Sequence, residues 1–308
     1  MIKSTGLSLA GARSEFFDKL SQVHTFPWER LAMTIKSDKE SEKYRWLGSL
    51  PRVREWGTGR LAKGLRSESY DVENLKYEST IEWSRDEIAD DQTGQIRVRI
   101  RQMAAAAARH KGYLLSQLLI NGGTAGYNSY DGVSFFNDAH VSGASGSQDN
   151  DLTATAAAAA KTTAECKTAI QAAVAAGLAF LDDQAEPINE EVTTILHVVP
   201  PGLLFPMQEA VSAAQIGDTS NILTKYRMDV VPFSRLTLGT TFYTCFVEDG
   251  DALPFIFQDR ESLEFKLYEA DGTSETAFMQ EVGRAGVRAR YNMTYGFWQK
   301  AIRTVFNN

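Results

Sequence analysis

The residue types best suited to chemistry stand together in YDGVSFFNDAH, Tyr130 to His140, where Asp131, Asp138 and His140 lie within ten residues. Two carboxylates and an imidazole are donors for a divalent metal ion, and catalytic zinc sites use as few as three such ligands. The competing reading is structural: Phe135 and Phe136 anchor a glycine-containing turn, Asp138 caps it, and His140 hydrogen-bonds nearby backbone. Motif-like clusters often mislead, and no second His/Asp/Glu cluster completes a shell. The turn is therefore the expectation, and a metal-dependent enzyme using these three residues is the remote alternative.

The other reactive groups read in the same way. His197 lies inside an apolar strand pattern, where a satisfied core histidine is commoner than a catalytic one. Asp182, Asp183, Glu186, Glu190 and Glu191 suggest acid/base work or calcium, but nothing pairs them with a nucleophile, so a solvated helix end and turn is expected. Cys166 and Cys245 form no CxxC pair and read as two small buried thiols. There is no G-x-S-x-G, phosphate-binding G-x-x-x-x-G-K-[ST], H-E-x-x-H or G-x-G-x-x-G, which lowers the prior for an enzyme. No catalytic residue, metal or cofactor is expected.

A different chemistry, that of contact, is concentrated in YRWLGSLPRVREW, Tyr44 to Trp56, and the residues after it. Between Arg45 and Arg66 six basic residues (Arg45, Arg52, Arg54, Arg60, Lys63, Arg66) face one acid, Glu55, in a chain of net charge -7. Such an island can bind nucleic acid, with Trp46 and Trp56 stacking on bases. It can equally dock on an acidic face of another copy, which suits Trp, Tyr and Arg as interface residues. In that second reading the contact set would be Trp46, Leu50, Arg52, Arg54, Trp56 and Arg60 against Asp86, Glu87, Asp90 and Asp91.

These groups need elements to hold them. A chain of 308 residues is long enough for one large or two ordinary domains, and 43% hydrophobic with 23% charged residues reads as folded. The overall acidity argues against a protein whose main task is gripping phosphate backbones. The N-terminus lacks a signal-peptide core and no apolar run reaches membrane-span length, so an intracellular soluble product with no membrane partner is expected. A weakly amphipathic helix is predicted over Ser8 to Val23, then a polar exposed arm, MTIKSDKESEK. Tyr44 to Trp83 reads as a two-stranded excursion with its tip near GTGRLAKG, and Tyr77, Ser79, Ile81 and Trp83 share one strand face.

Ser84 and Glu87 fit a capping box, and apolar spacing predicts a helix from Asp86 to Ile120, about 50 Å long, ended by Asn121-Gly122-Gly123 and open to interruption at Gly94 and Gly112. A second, alanine-rich helix over TATAAAAAKTTAECKTAIQAAVAAGLAFL is expected to pack across Ala104 to Ala108. VTTILHVVPPGLLFPMQEAVSAA reads as strand, Pro-Pro turn and short helix. RMDVVPF, TLGTTFYTCFVED, LPFIFQD, SLEFKLYE and GVRARYNMTYGFWQKAIRTVF are strand candidates. Without strict alternation, the class is α+β.

The order of these parts resembles a known family. YRWLGSLPRVREWGTGR, KYESTIEWSRDEIADDQTG, AAAARHKGYLLSQLLING, YDGVSFFNDAH, VVPPGLLFPMQEAV, ALPFIFQDRESLEF and RARYNMTYGFWQKAI together look like the major head subunit, the T protein, of Mu-like tailed phages and prophages, over roughly Ser8 to the C-terminus. The resemblance implies a Hong Kong 97-type capsid fold. Its parts would be an N-terminal arm (1–42), an extended loop (43–83), a peripheral domain with a long spine helix (84–191, closed by 266–308) and an axial domain (192–265).

It also implies a structural protein of the virion capsid, assembled in the host bacterial cytoplasm. Pentamers and hexamers would close an icosahedral shell around double-stranded DNA, without sequence-specific binding, and a portal protein would be a partner. About forty residues precede the loop, too few for a fused scaffolding segment, so scaffolding and maturation protease are expected in trans. Lys63 lies where some proteins of this fold crosslink to asparagine, but it lacks a matching context and reads as solvated. The runner-up is an encapsulin-like compartment housing enzyme cargo.

Overall fold

The computed structural model describes residues 9–44, 47, 70–84, 86–87, 94–158, 161–216, 219–247, 252–268, 279 and 281–307. Helix α1 (Leu9–Gln22) falls where its periodicity places it, and Ala12 and Phe16 are its buried face. The strip after it is not an exposed arm. Strand β1 (Ala32–Lys36) runs parallel to Phe255–Asp259, with Ala32 opposite Phe255 and Lys36 opposite Asp259. An edge strand needs little apolar content, because pairing satisfies its backbone while polar side chains stay in water.

Strands β2 (Ser41–Tyr44) and β3 (Tyr70–Glu73) pair antiparallel, Ser41 with Glu73 and Tyr44 with Tyr70. They form the base of the expected excursion, whose tip lies outside the described residues. Buried Asn74 ties this base to the strip: its Nδ2 donates to Ser37 Oγ and to Lys39 O, each at 2.8 Å. Strand β4 (Leu75–Ser84) then presents Tyr77, Ile81 and Trp83 inward, while Ser79 is exposed.

The predicted long helix is shorter than its apolar pattern. Helix α2 (Gln95–Asn121) starts after Gly94, whose φ of +71° is left-handed and cannot continue a right-handed helix. The Ser84–Glu87 capping box does form, with Glu87 N donating to Ser84 Oγ at 3.1 Å and Ser84 N to Glu87 Oε2 at 2.8 Å, but Gly94 stands between it and α2. At the other end a Cβ on Gly122 would stand 2.7 Å from the Phe136 ring, so the exit from α2 needs a glycine for close approach.

The alanine-rich stretch also divides. After the hairpin β5 (His140–Val141) and β6 (Ser147–Gln148), residues Asp151–Thr155 are strand β7, and helix α3 (Thr163–Leu178) begins only at the Thr162–Glu165 capping box. Alanine's helix propensity is a weak prior that sheet pairing overrides. Nor does α3 lie on the alanines of α2. Ala104 packs with α1 and with Phe265, Ala285 and Val287, and Phe16 stacks on Phe265 at 4.9 Å.

Strand β8 (Thr194–Val199), helix α4 (Leu204–Ser212) and the hairpin β9 (Gln215–Ile216) and β10 (Thr219–Ser220) follow. Then come β11 (Met228–Pro232), β12 (Thr241–Val247), β13 (Phe255–Tyr268), β14 (Val282–Tyr295) and β15 (Ala301–Asn307). The two candidates LPFIFQD and SLEFKLYE are one strand, β13, with register shifts near Glu261 where the ladder bulges. Among the described residues two main sheets result: a four-stranded one ordered β1-β13-β14-β4, and a five-stranded one ordered β11-β8-β12-β15-β7. Every residue of β8 and β12 is buried, which explains their continuous apolar runs: the central strands of this sheet are covered on both faces. Among the described residues no helix is long and apolar enough to cross a membrane.

Candidate functional site

The Asp131/Asp138/His140 trio does not assemble. His140 is fully buried; its Nδ1 lies 2.6 Å from Asp131 Oδ2 and its Nε2 lies 3.1 Å from the Phe135 carbonyl. A carbonyl only accepts, so Nε2 makes its contact as an N–H, and Nδ1 is taken up by the Asp131 carboxyl. Both ring nitrogens are thus engaged within the protein and neither is presented to a metal. Asp138 is exposed and apart from the pair. Its expected capping role belongs to Asn137, whose Oδ1 accepts from Ala139 N at 2.9 Å.

What the turn does instead is hold the end of the chain. The His140 ring stacks on Trp298, with centroids 4.2 Å apart and planes 8° from parallel. Buried Asn150 donates to the carbonyls of Phe135 (2.8 Å) and Ala301 (3.1 Å), and its Oδ1 accepts from Asn137 N. Tyr130 OH donates to Gln299 Oε1 at 3.0 Å. Buried Asn189 donates to Gly177 O and Gln299 O, and Lys300 Nζ donates to Ile188 O at 3.1 Å. Burial pushes the Lys300 ammonium down to about 8, against the opposing pull of Glu191.

The acidic stretch is a turn, as expected, but it is not solvated throughout: Asp182 is buried because its carboxylate closes the turn, while Glu190 and Glu191 are exposed. Asp182 Oδ1 accepts from the backbone of Gln184 (2.7 Å) and Glu186 (2.9 Å). His197 is buried but only half satisfied: Nδ1 lies 3.1 Å from Thr244 Oγ1, Nε2 has no partner, and burial pushes the ring down to about 4. Cys166 and Cys245 are buried and unbonded, and burial raises them to about 11 and about 12, so they stay inert thiols. Sequence reasoning missed Asn150, Asn189 and Lys300, because a buried polar residue inside a polar or mixed run carries no periodic signal.

Of the expected contact set, Trp46, Leu50, Arg52, Arg54, Trp56, Arg60, Asp90 and Asp91 lie outside the described residues. Asp86 and Glu87 are exposed where β4 leaves the four-stranded sheet. With Trp83, Ile96 and Arg99 among their neighbours they line a groove of about 320 Å³ beside the start of α2. The groove joins apolar wall to carboxylate rim. Glu87 already accepts from Ser84 N through Oε2, while the buried indole N–H of Trp83 has no partner. An aromatic and basic segment is complementary to such a rim.

Comparison with known proteins sets this geometry in context. The family model described as Mu-like prophage major head subunit gpT matches residues 8–169 and 237–305. The chain is 32% identical over 113 residues to the major capsid protein of Escherichia phage Mu, covering 37% of this chain and 36% of that protein. It is 31% identical over 136 residues to the Mu-like prophage FluMu major head subunit of Haemophilus influenzae, covering 44% and 42%. The matched stretch thus spans about two fifths of each relative.

Among solved structures, the procapsid of bacteriophage JBD30 superposes with a TM-score of 0.55 at 22% identity, covering 96% of this chain and 73% of that one. The mature capsid of bacteriophage PhiM1 gives 0.61 at 8% identity, covering 93% and 88%. At such identities the likeness concerns the fold, which is the α+β, Hong Kong 97-type fold of phage capsid proteins.

Proposed function

The chain belongs to the family of Mu-like prophage major head subunits, gpT, and from that membership we propose that it is the major capsid protein of a Mu-like phage or prophage. It acts by self-assembly, not catalysis: pentamers and hexamers close an icosahedral shell that encloses double-stranded DNA. The observation that carries this reading is the family match over residues 8–169 and 237–305. The fold alone does not separate a genome container from a compartment for protein cargo, since the SrpI encapsulin of Synechococcus elongatus also superposes, at 8% identity and a TM-score of 0.50. The family match favours the genome container.

Within the shell, the basic aromatic loop from Tyr44 to Arg66 lies over a neighbouring copy and meets its Asp86/Glu87 rim, with Asp90 and Asp91 on the same acidic segment. Each contact is weak, and repetition around the ring multiplies it. Trp46, Leu50 and Trp56 supply most of the affinity, while Arg52, Arg54 and Arg60 set register. Residues 1–42 serve as the arm and 43–83 as the extended loop, each anchored in the four-stranded sheet, the arm by β1 and the loop by β4. The ranges expected for the axial domain (192–265) and the peripheral domain (84–191 and 266–308) share the five-stranded sheet, since β12 pairs with both β8 and β15. We therefore draw that boundary along the two sheets, with α2, β13 and β14 on the peripheral side. A portal protein is a partner of the shell, and assembly takes place in the host cytoplasm.

Negative-stain electron microscopy of the expressed protein tests the reading. Uniform shells, rings or tubes are expected. A monodisperse monomer at every salt concentration overturns it.

A further inference from the structure

One face of α2 departs from the acidity of the chain. Arg101 and Arg109 are exposed on it, Lys19 of α1 stands beside them, and with Gln102, Ala105 and Ala106 they line a groove of about 500 Å³. Among the described residues no carboxylate lines this groove and none of its three cations is in an ion pair. The nearest acids on α1 are already engaged: Glu15 pairs with Arg97 at 3.8 Å, and Asp18 accepts from Ser14 Oγ at 3.2 Å. Further along α2, Arg235 lies over the Tyr113 ring at 5.5 Å and extends the positive strip.

Three unpaired cations over an alanine floor suit a polyanion. The small side chains let a backbone come close, and Gln102 adds a neutral donor. From Arg101 to Arg109 the helix rises about 12 Å, the length of about three to four base pairs of duplex DNA. We propose that this strip on α1 and α2 holds the phosphate backbone of the double-stranded DNA inside the shell, an inference that rests on the capsid reading. Binding is weak and sequence-independent, because the strip offers charge and no base-reading element. The net charge of -7 on the whole chain keeps it weak enough for release.

The test is fluorescence anisotropy of a labelled duplex of about 24 base pairs on the full chain before shell closure, between about 50 and 200 mM salt. Wild type is compared with the triple variant Lys19→Gln/Arg101→Gln/Arg109→Gln. A control, Arg284→Gln, alters an arginine on the four-stranded sheet that pairs with Glu82 at 2.6 Å. The triple variant is expected to lose about 3 from the slope of log affinity against log salt and to bind about tenfold or more weakly, with the control near wild type.

Unchanged slope and affinity in the triple variant overturn the proposal, as does a wild type that binds no duplex at low salt. Displacement of DNA by polyglutamate at equal charge concentration overturns it in favour of an acidic protein partner. Electron microscopy of the same samples separates the two readings. Wild type that binds DNA through the strip yet never forms shells defeats the capsid reading while the strip stands.

Discussion

The imidazole of His140 lies flat against the indole of Trp298, 4.2 Å between centroids, while its two nitrogens face Asp131 and the Phe135 carbonyl. One ring thus couples the Phe-rich turn to the closing W-Q-K-A segment and so to β15, which is central enough in the five-stranded sheet to pair on both sides. Trp298→Ala removes a fully buried side chain and its stacking partner together. A loss of about 3–5 kcal/mol is expected, read from urea unfolding followed by far-ultraviolet circular dichroism. A loss below about 1 kcal/mol would mean that the turn and the chain end are not coupled as described.

Helix α3 packs closely on β12 at Gly177. A Cβ on Gly177 would stand 2.0 Å from Phe246 Cζ, inside contact distance of a fully buried ring. Gly177→Ala should therefore destabilise the subunit by about 1–3 kcal/mol despite alanine's better helix propensity. The double variant with Phe246→Leu should recover part of that loss, and a thermal melt showing no recovery would count against steric conflict as its cause.

How much of this was legible in the sequence depended on where the determining contact lies. Helix α1, the strand-turn-helix from Thr194 to Ser212 and the α+β class follow from local periodicity and turn chemistry, which a short window contains. Strand β1 does not, since its burial comes from Phe255–Asp259 far along the chain. The start of α2 hinges on the positive φ of Gly94, a choice that apolar spacing does not record. The alanines of α2 and α3 carry no mark of which neighbour they meet. For the site, the structural reading of His140 was available from its flanking phenylalanines, while the parts played by Asn150, Asn189 and Trp298 depend on long-range contacts.

His197 gives the fold an acid-sensitive point. Burial lowers its folded-state value to about 4 against an ordinary 6.5, so between those values the unfolded chain holds a proton that the folded chain does not. Its contribution is fully present above about pH 6.5, is lost as pH falls towards 4, and is flat below. The span corresponds to about 3 kcal/mol. His197→Leu should flatten that part of a stability-against-pH profile, and an unchanged slope would remove the assignment.

Trp46→Ala with Trp56→Ala tests the loop without depending on subunit stability. The pair should leave the unassembled subunit's circular dichroism and melting unchanged, and should block formation of shells in electron micrographs, since aromatic anchors cost about 2 kcal/mol or more each at an interface. A double variant that assembles at the wild-type concentration threshold would take the anchoring role away from this loop.

Lys300 works in the opposite pH range. Its folded value of about 8 lies below the ordinary 10.5, so from pH 8 to 10.5 the unfolded chain binds more protons and stability rises with pH. Below 8 both states are charged and the burial penalty is fully present. Methionine at this position removes that penalty, of about 3 kcal/mol, but also leaves the Ile188 carbonyl without its donor, at about 1–3 kcal/mol. The two nearly cancel. Lys300→Met is therefore expected to lie within about 1 kcal/mol of wild type at pH 7 and to lose the alkaline rise. Persistence of that rise in the variant would show that another group produces it.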